Sequence, residues 1–151
     1  MSEKWDENFM GLAAHIAAWS KDPSTKVGAV IVDSRRVVIG MGYNGFPRGV
    51  EDSEARLNHR PSKYALVVHA ETNAILNSTR ELIGTTMYCT LFPCGECAKL
   101  IVQAGIAEVI CPKPTAEQIS RWGSQFASSK ILITEGGVKS RYHYARDGVQ
   151  G

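Results

Sequence analysis

The chain has 151 residues, the length of one ordinary domain, and 44% of them are hydrophobic while 21% are charged. These proportions are close to globular averages, so they exclude a disordered chain and a low-complexity protein. No apolar run approaches the roughly 20 residues that cross a bilayer, and the N-terminus has no signal-peptide core, so we expect neither a membrane protein nor a secreted one. The net charge of +2 is too balanced to indicate a nucleic-acid partner.

The N-terminal part of the chain predicts a helix followed by a β-hairpin. Residues 6–20 place hydrophobic side chains on one stripe at helical spacing, and Pro23 with its polar neighbours ends the helix. Two β-rich runs at 27–32 and 37–41 are joined by a polar turn, which is typical of a hairpin. Gly, Pro and polar residues dominate 42–62, so this segment is predicted to be a long functional loop.

The rest of the chain predicts alternating helices and strands. The expected helices are 67–76, 93–105 and 115–129, and the expected strands are 86–91, 106–111 and 131–134. Together with the hairpin, this order predicts an α/β fold with a mixed five-stranded sheet and helices on its faces. No repeat or boundary interrupts the sequence, so we expect one domain over 1–151.

Two short motifs carry residues suited to metal chemistry: HAE at 69–71 and PCGEC at 93–97. Cys94 and Cys97 lie on one helical turn, and His69 adds a nitrogen ligand. Both motifs fall at predicted helix N-termini, where the helix dipole favours thiolate over thiol. Three protein ligands leave the fourth tetrahedral position of a zinc ion for water, which is the catalytic arrangement.

A structural zinc site made of all four cysteines is the alternative. Cys89 and Cys111, however, fall in or at the end of hydrophobic strands, which is typical of core thiols. Their spacing fits no common zinc-finger pattern, and a four-cysteine site would leave the HAE motif unused. In a chain without a signal peptide, free cysteines also indicate a reducing compartment, so we expect the protein in the cytoplasm.

The order H-x-E followed by P-C-x-x-C is the signature of zinc deaminases, in which the Glu is an acid/base and not a ligand. Zinc lowers the pKa of a bound water to about 7. Glu71 is expected to accept the proton of that water, deliver it to the ring nitrogen of the substrate and later protonate the departing amine.

Beyond the signature, the chain resembles the deoxycytidylate (dCMP) deaminase family from about Ser20 to Val109. The matching stretches are SKDPSTKVGAVIV, GYNGFPRG, KYALVVHAETNAILN and TTMYCTLFPCGECAKLIVQAGI. The resemblance implies hydrolytic deamination of dCMP to dUMP, which feeds thymidylate synthesis, and a cytidine-deaminase-like three-layer α/β/α fold. It also implies a homo-oligomer, commonly a hexamer, that dCTP activates and dTTP inhibits.

Carried over by position, the resemblance implies that His69, Cys94 and Cys97 are the zinc ligands and that Glu71 is the proton shuttle. It places Asn44 against the substrate sugar, and we expect Ala70 to contact the substrate as well. Some family members hold a second, structural zinc through additional Cys and His residues. The N-terminal half of this chain has no cysteine and retains only His59 as a plausible ligand, so we expect one catalytic zinc per chain.

Three further residues are candidates for the substrate. Lys26, just before the first predicted strand, is placed to meet the substrate phosphate, although a solvated lysine is the ordinary alternative. Arg121 and Trp122 offer a guanidinium and an indole that would clamp phosphate and base. Trp122 also lies on the hydrophobic stripe of its predicted helix, so a role in core packing stays open.

The 42–62 segment is a candidate effector site, with a solvated loop of mixed charge as the alternative. Glycines allow close approach to a ligand, and an arginine offers a planar donor fork for phosphates. Acidic side chains nearby would hold Mg²⁺ on a triphosphate such as dCTP, with dTTP competing there. The residues assigned to this site are Gly42, Tyr43, Gly45, Arg48, His59 and Arg80.

Two other functions stay open at the level of the sequence. One is a deaminase of another substrate, either a nucleoside or a tRNA adenosine, and the other is a non-catalytic zinc-binding module. A polynucleotide enzyme would need a broad basic surface, which a net charge of +2 does not indicate. The expected partners are therefore small nucleotides and other copies of the chain, with no nucleic acid and no membrane.

Overall fold

The computed structural model describes residues 3–145, which form six helices and five strands. In chain order these are α1 (Glu3–Ala17), β1 (Gly28–Val32), β2 (Val38–Tyr43), α2 (Glu54–Asn58), α3 (Arg60–Leu66), α4 (Ala70–Leu76), β3 (Thr86–Cys89), α5 (Gly95–Gln103), β4 (Glu108–Cys111), α6 (Ala116–Glu135) and β5 (Lys139–Tyr142). Within these residues no helix is both long enough and apolar enough to cross a bilayer.

The strands form one mixed sheet in the order β2-β1-β3-β4-β5. β1 is antiparallel to both of its neighbours, β2 and β3. β3, β4 and β5 run parallel, and helices α5 and α6 make the two crossovers that parallel strands require. The predicted mixed five-stranded sheet is confirmed.

Helices cover both faces of the sheet, because successive strand residues point to opposite sides. On one face, α1 packs its apolar stripe on alternate strand residues, which include Val30, Val32, Tyr88 and Ile110. On the other face, α4, α5 and α6 pack on the intervening residues, which include Ala29, Ile31, Met87, Cys89, Val109 and Cys111. The result is the expected three-layer α/β/α arrangement.

An ion-pair network closes the α1 face beside the last strand. Arg141 on β5 contacts Asp6 of α1 through Nη1 at 3.0 Å, and its Nε donates to Glu108 on β4. The hydroxyl of Tyr88 donates to Asp6 Oδ1 at 2.7 Å, and burial together with this carboxylate raises the pKa of Tyr88. The network therefore ties the N-terminal helix to the far edge of the sheet.

The strand predicted at 131–134 is wrong. These residues continue α6 to Glu135, and Ile133 is buried on the helix face that packs against the core. Gly137, with φ of +75°, takes the left-handed conformation that commonly follows a helix end, and β5 begins two residues later. The sequence pattern is ambiguous here, because a short run of apolar and β-branched residues occurs in buried helices as well as in strands.

The loop predicted at 42–62 is also shorter than expected, because α2 and the start of α3 lie in it. Ser53 caps α2 by accepting a hydrogen bond from the backbone N–H of Arg56, and His59 caps α3 through Nδ1. Helix α2 buries no residue, so it has no apolar stripe for a periodicity argument to detect.

Candidate active site

The three predicted metal ligands come together at the N-termini of two neighbouring helices. His69 is the N-cap residue of α4, Cys94 is the N-cap residue of α5, and Cys97 lies in the first turn of α5. In neither case does the capping side chain accept a hydrogen bond from its own helix, so the imidazole and the thiol are directed elsewhere. They face each other.

The distances between these ligands fit a zinc ion. His69 Nδ1 lies 3.3 Å from Cys94 Sγ and 3.4 Å from Cys97 Sγ, and all three ligand atoms lie within 4.8 Å of one another. Tetrahedral Zn–N and Zn–S bonds of about 2.0 and 2.3 Å place a nitrogen and a sulfur about 3.5 Å apart. The donor set therefore matches zinc in both chemistry and spacing.

The protonation of the two thiols also suits a cation. Hydrogen bonds from Cys97 and His69 lower the pKa of Cys94 to about 4, while the same contact with Cys94, added to burial, raises the pKa of Cys97. The hydrogen bond with Cys94 raises the pKa of His69. A divalent cation bound among these three groups would stabilise both sulfurs as thiolates.

Thr72 supports the metal ligands and was missed by the sequence analysis. Its Oγ1 lies 3.6 Å from Cys97 Sγ, within reach of a hydrogen bond that orients the sulfur. Such partners of metal ligands fix ligand geometry and tune ligand basicity. The HAE motif is followed directly by this threonine, but no spacing rule singles it out.

Glu71 is placed beside the metal ligands without being one of them. It lies in the first turn of α4, is only 4% exposed and lines the cavity at the ligand cluster. Burial raises the pKa of its carboxyl, which a hydrogen bond with Cys97 and the charge on His69 oppose. A buried carboxyl beside the metal ligands is suited to carry a proton between water and substrate.

A cavity of about 550 Å³ opens above the ligand cluster, and it is large enough for a nucleotide. His69, Ala70, Glu71 and Cys94 line the metal end. Aromatic side chains line the walls, where Phe92 packs edge-on against Phe126 with ring centroids 5.4 Å apart. The opposite wall is polar and contains Asp22, Ser24, Thr25, Asn44 and Lys63.

The structure separates the predicted substrate residues into two groups. Asn44, Ala70, Arg121 and Trp122 line the cavity. The guanidinium of Arg121 lies 4.6 Å from the Trp122 ring, and Trp122 leaves helical geometry with φ of −130° and ψ of 18°, which turns α6 at the cavity. Lys26 is exposed, and the cavity wall at this point is made by its neighbours Thr25 and Val27.

Asn44 is held by hydrogen bonds of both its side chain and its backbone, among them one from its Nδ2 to Asp22 Oδ2 at 3.5 Å and one from its N–H to the Val27 carbonyl at 3.2 Å. Its Oδ1 accepts a hydrogen bond from Val27 N–H at 2.9 Å, and its Nδ2 donates to the Thr25 carbonyl at 2.9 Å. The backbone carbonyl of Asn44 accepts from Ser20 Oγ at 2.8 Å. Asn44 therefore fixes the segment before β1 to the strand end of β2, and it is 7% exposed.

Two of the predicted effector residues share a second, smaller cavity. Tyr43 and Gly45 line a space of about 160 Å³ next to the active-site cavity, together with Trp19 and the exposed ion pair between Lys21 and Asp52. The Tyr43 ring stands edge-on to Trp19 with centroids 6.1 Å apart. Asp22, Asn44 and Lys63 line both cavities and form the partition between them.

The other predicted effector residues have structural contacts that correct parts of this assignment. A Cβ on Gly42 would lie 2.6 Å from the Ala70 carbonyl oxygen, so Gly42 lets β2 pack closely on α4 and is not open to a ligand. Arg48 reaches Asn77 Oδ1 at 3.4 Å. His59 accepts its hydrogen bond as the cap of α3.

Arg80, also assigned to the effector site, is not among the residues that line either cavity. Its Nη2 pairs with Asp33 Oδ2 at 2.9 Å in the β1–β2 turn. β1 begins at Gly28, next to the cavity residue Val27, and Asp33 follows its other end, so Arg80 lies at the end of the strand away from the metal site. This placement follows from the direction of α4, which begins at the metal ligand and runs along β2 until Thr79 N–H donates to the Ile39 carbonyl.

Cys89 and Cys111 are free, fully buried residues of neighbouring strands. They pack in the core under the helices of the catalytic face. The prediction that these two thiols belong to the core is confirmed by their burial, and the candidate ligand group among the described residues consists of His69, Cys94 and Cys97.

A three-layer α/β/α fold that carries a His-Cys-Cys site with a buried glutamate beside it defines the class of zinc-dependent deaminases. The profile of the cytidine and deoxycytidylate deaminase zinc-binding region matches residues 3–113. The chain is 45% identical over 139 residues to an uncharacterised deaminase of Aliivibrio fischeri, a match that covers 92% of this chain and 93% of that protein. It is 49% identical over 113 residues to human deoxycytidylate deaminase, which covers 71% of this chain and 64% of the human protein.

Among solved structures, dCMP deaminase from cyanophage S-TIM5 in complex with dCMP and dUMP is similar with a TM-score of 0.76. It is 26% identical to this chain, and the match covers 94% of this chain and 98% of that one. This chain belongs to the cytidine and deoxycytidylate deaminase family. The resemblance to dCMP deaminases that the sequence predicted is confirmed.

Proposed function

We propose that this protein hydrolyses dCMP to dUMP and ammonia. The observation that carries the proposal is the His69, Cys94 and Cys97 cluster with Glu71 at the end of a nucleotide-sized cavity. Several relatives that match about 70% of the chain are deoxycytidylate deaminases, including the human protein and that of mycobacteriophage D29, which is 43% identical over 122 residues. The bound nucleotides of the cyanophage enzyme are dCMP and dUMP, which supports the same substrate here.

The residues of the site have separate tasks in this reaction. His69, Cys94 and Cys97 would hold zinc, which acts as a Lewis acid and lowers the pKa of water at its open position. Glu71 takes a proton from the attacking water and passes protons to the ring nitrogen and then to the departing amine. Water adds its oxygen to the ring carbon, the carbon–amine bond breaks, and ammonia leaves.

The remaining contacts orient the nucleotide. With the base at the metal end, its sugar extends toward the polar wall that contains Asn44. Arg121 on α6 is the cation proposed for the phosphate, and Trp122 packs beside it against the base. Lys26 remains a weaker candidate, because it is exposed and would have to reach over the cavity rim.

Ammonia release tests the proposal directly. The zinc-loaded protein is incubated with dCMP, deoxycytidine, cytidine and a tRNA, and ammonia is measured for each. We expect dCMP to be the preferred substrate. If the protein prefers a nucleoside or tRNA, that compound is the substrate in place of dCMP. If it binds zinc but releases ammonia from none of the four, a non-catalytic zinc module is favoured.

We propose in addition that dCTP with Mg²⁺ activates the enzyme and that dTTP inhibits it, in a homo-oligomer with the hexamer favoured. The support is the second cavity at Tyr43 and Gly45, which shares Asn44 with the active site and is lined by the Asp52 carboxylate, a candidate Mg²⁺ ligand that pairs with Lys21 in this structure. Sigmoidal dCMP saturation that becomes hyperbolic with dCTP is the expected result, and mass measurement in solution gives the oligomer. If neither triphosphate changes the dCMP saturation curve, the proposed regulation is wrong. If an Arg48→Ala variant responds fully to dCTP and dTTP, Arg48 does not belong to the effector site.

A supply of dUMP for thymidylate synthesis in a reducing cytoplasm is the proposed context. Its support is the chemistry of the product and the four free cysteines. In cells, loss of the protein should lower the thymidine nucleotide pool and raise that of deoxycytidine nucleotides. Unchanged pools would contradict this role.

A further inference from the structure

Lys63 is a charged residue buried in the wall of the active-site cavity, and neither the motifs nor the proposed mechanism uses it. The residue is 5% exposed, and among the seven residues of α3 it alone is buried. Lysine is among the residues least often buried, because removing an ammonium from water is costly unless it is paired. A buried lysine beside a substrate cavity therefore calls for a reason.

The partner of Lys63 is the buried carboxylate of Asp22. Lys63 Nζ lies 3.2 Å from Asp22 Oδ1, and the two side chains are 6% and 9% exposed. A buried ion pair contributes little net stability compared with apolar residues of similar volume, because desolvation offsets the attraction. Its retention in a cavity wall is better explained by the geometry that it imposes.

Asp22 in turn holds the loop before β1 through hydrogen bonds. The Oδ1 that contacts Lys63 also accepts hydrogen bonds from the backbone N–H groups of Ser24 at 2.8 Å and Thr25 at 3.0 Å. Three donors therefore converge on one carboxylate oxygen. Without the ammonium this carboxylate would be a buried charge held only by the two backbone N–H groups and by Asn44 Nδ2, which lies 3.5 Å from its Oδ2, and the turn that it organises would lose a fixed support.

The loop in turn holds Asn44. The Thr25 carbonyl accepts from Asn44 Nδ2 at 2.9 Å, and Asn44 Oδ1 accepts from Val27 N–H at 2.9 Å. Lys63, Asp22, Thr25 and Asn44 all line the cavity that also contains the metal ligands His69 and Cys94. A connected set of contacts thus runs from α3 to the wall that faces the sugar end of a nucleotide whose base lies at the metal.

We propose that Lys63 is a positioning residue for the deamination: by pairing with Asp22 it holds the 22–27 segment and Asn44 in the arrangement that receives the sugar of the nucleotide. This inference rests on the proposed function for the identity of the substrate. Lys63 acts through Asp22 and does not contact the reacting atoms. Removal of the ammonium should therefore weaken substrate binding more than the chemical step.

The test compares Lys63→Met with the double variant Lys63→Met/Asp22→Asn. Methionine keeps the length of the side chain but leaves the Asp22 carboxylate buried without its cation. The added asparagine removes that charge and keeps an oxygen that accepts the Ser24 and Thr25 N–H groups. Lys99→Met is the matched control, because Lys99 pairs with Glu96 at 2.8 Å on the surface.

Two readouts are measured on the zinc-loaded proteins. For Lys63→Met we expect KM to rise about tenfold for dCMP and by a similar factor for deoxycytidine, with a smaller change in kcat and full zinc content. Amide hydrogen exchange of residues 20–28 should become faster in the absence of any substrate. The double variant should recover most of both effects, and Lys99→Met should show neither.

Three outcomes would overturn the proposal. A rise in KM for dCMP alone, with unchanged exchange, would make Lys63 a direct phosphate contact. Faster exchange with unchanged KM would make the pair purely structural, and failure of the double variant to recover either effect would remove Asp22 as the link. If Lys63→Met does not fold, recovery of folding in the double variant, which buries no unpaired charge, still tests the link between Lys63 and Asp22, and a double variant that also fails to fold would contradict it. If the wild type does not deaminate dCMP, the proposed function fails, and the exchange measurement still decides whether Lys63 holds this wall.

Discussion

The two ends of the active-site cavity are built in different ways. At the metal end, the functional groups come from two motifs, 69–71 and 93–97, each placed by the first turn of one helix. At the polar wall, Lys63, Asp22 and Asn44 meet from three distant parts of the chain, and Lys63 and Asp22 are 41 residues apart. Chemistry concentrated in a helix turn can be recognised from sequence, whereas at the polar wall the sequence indicated only Asn44, through the family resemblance, and not its partners Lys63 and Asp22.

The largest effect is expected at the metal end, from loss of a ligand. Cys94→Ser should lose both zinc and activity, because a hydroxyl rarely replaces a thiolate on zinc. Zinc content by atomic emission and ammonia release are measured together. Cys89→Ala, in the core at the end of β3, is the control and should keep zinc and lose stability alone. A metal-free Cys89→Ala protein would instead indicate a site that uses the strand cysteines.

The next effect separates proton transfer from metal binding at the same end. Glu71→Gln should lower kcat by about 10²–10⁴-fold, because the amide cannot shuttle a proton. It should retain one zinc per chain, since Glu71 is not in the candidate ligand group. Glu96→Gln serves as the control, because Glu96 lies within the second motif but is paired with Lys99 on the surface. Loss of zinc from Glu71→Gln would make Glu71 a ligand.

A smaller effect is expected from Arg121, the cation that α6 contributes to the cavity. Arg121→Ala should raise KM for dCMP by the equivalent of about 1.5–3 kcal/mol, the range for hydrogen bonds to charged groups, and leave deoxycytidine turnover almost unchanged. Arg35→Ala, on the exposed hairpin turn, is the control for the loss of a positive charge. Equal losses for dCMP and deoxycytidine would show that Arg121 does not contact the phosphate.

The smallest effect on activity is expected from the opposite face of the sheet. Asp6→Ala removes the acceptor that Arg141 and Tyr88 share, and it should lower the free energy of unfolding by about 1–3 kcal/mol. Denaturant unfolding measures this loss. Tyr88→Phe should lose less, because it keeps the Asp6–Arg141 pair. The kcat of Asp6→Ala should stay near that of the wild type, and a large drop would show that α1 is coupled to the site.

The sequence predicted the order of the sheet elements and the metal end, and its failures have physical reasons. Ile133 belongs to an apolar helix face, but a few β-branched residues also suit a strand, so the end of α6 was assigned incorrectly. Helix α2 is held by its cap, without buried residues. Lys63 looks like an ordinary surface lysine in the sequence, because its burial depends on Asp22 from another segment.

Reconstitution of the metal-free protein with zinc tests the central claim most directly. Zinc is added in steps to the wild-type chain, and bound metal and dCMP deamination are measured at each step. We expect activity to rise in proportion to bound zinc and to level off at one zinc per chain, with the Glu71→Gln protein binding the same amount and remaining inactive. Deamination by the metal-free protein, or activity that appears only with a second zinc, would contradict a single His-Cys-Cys centre served by Glu71.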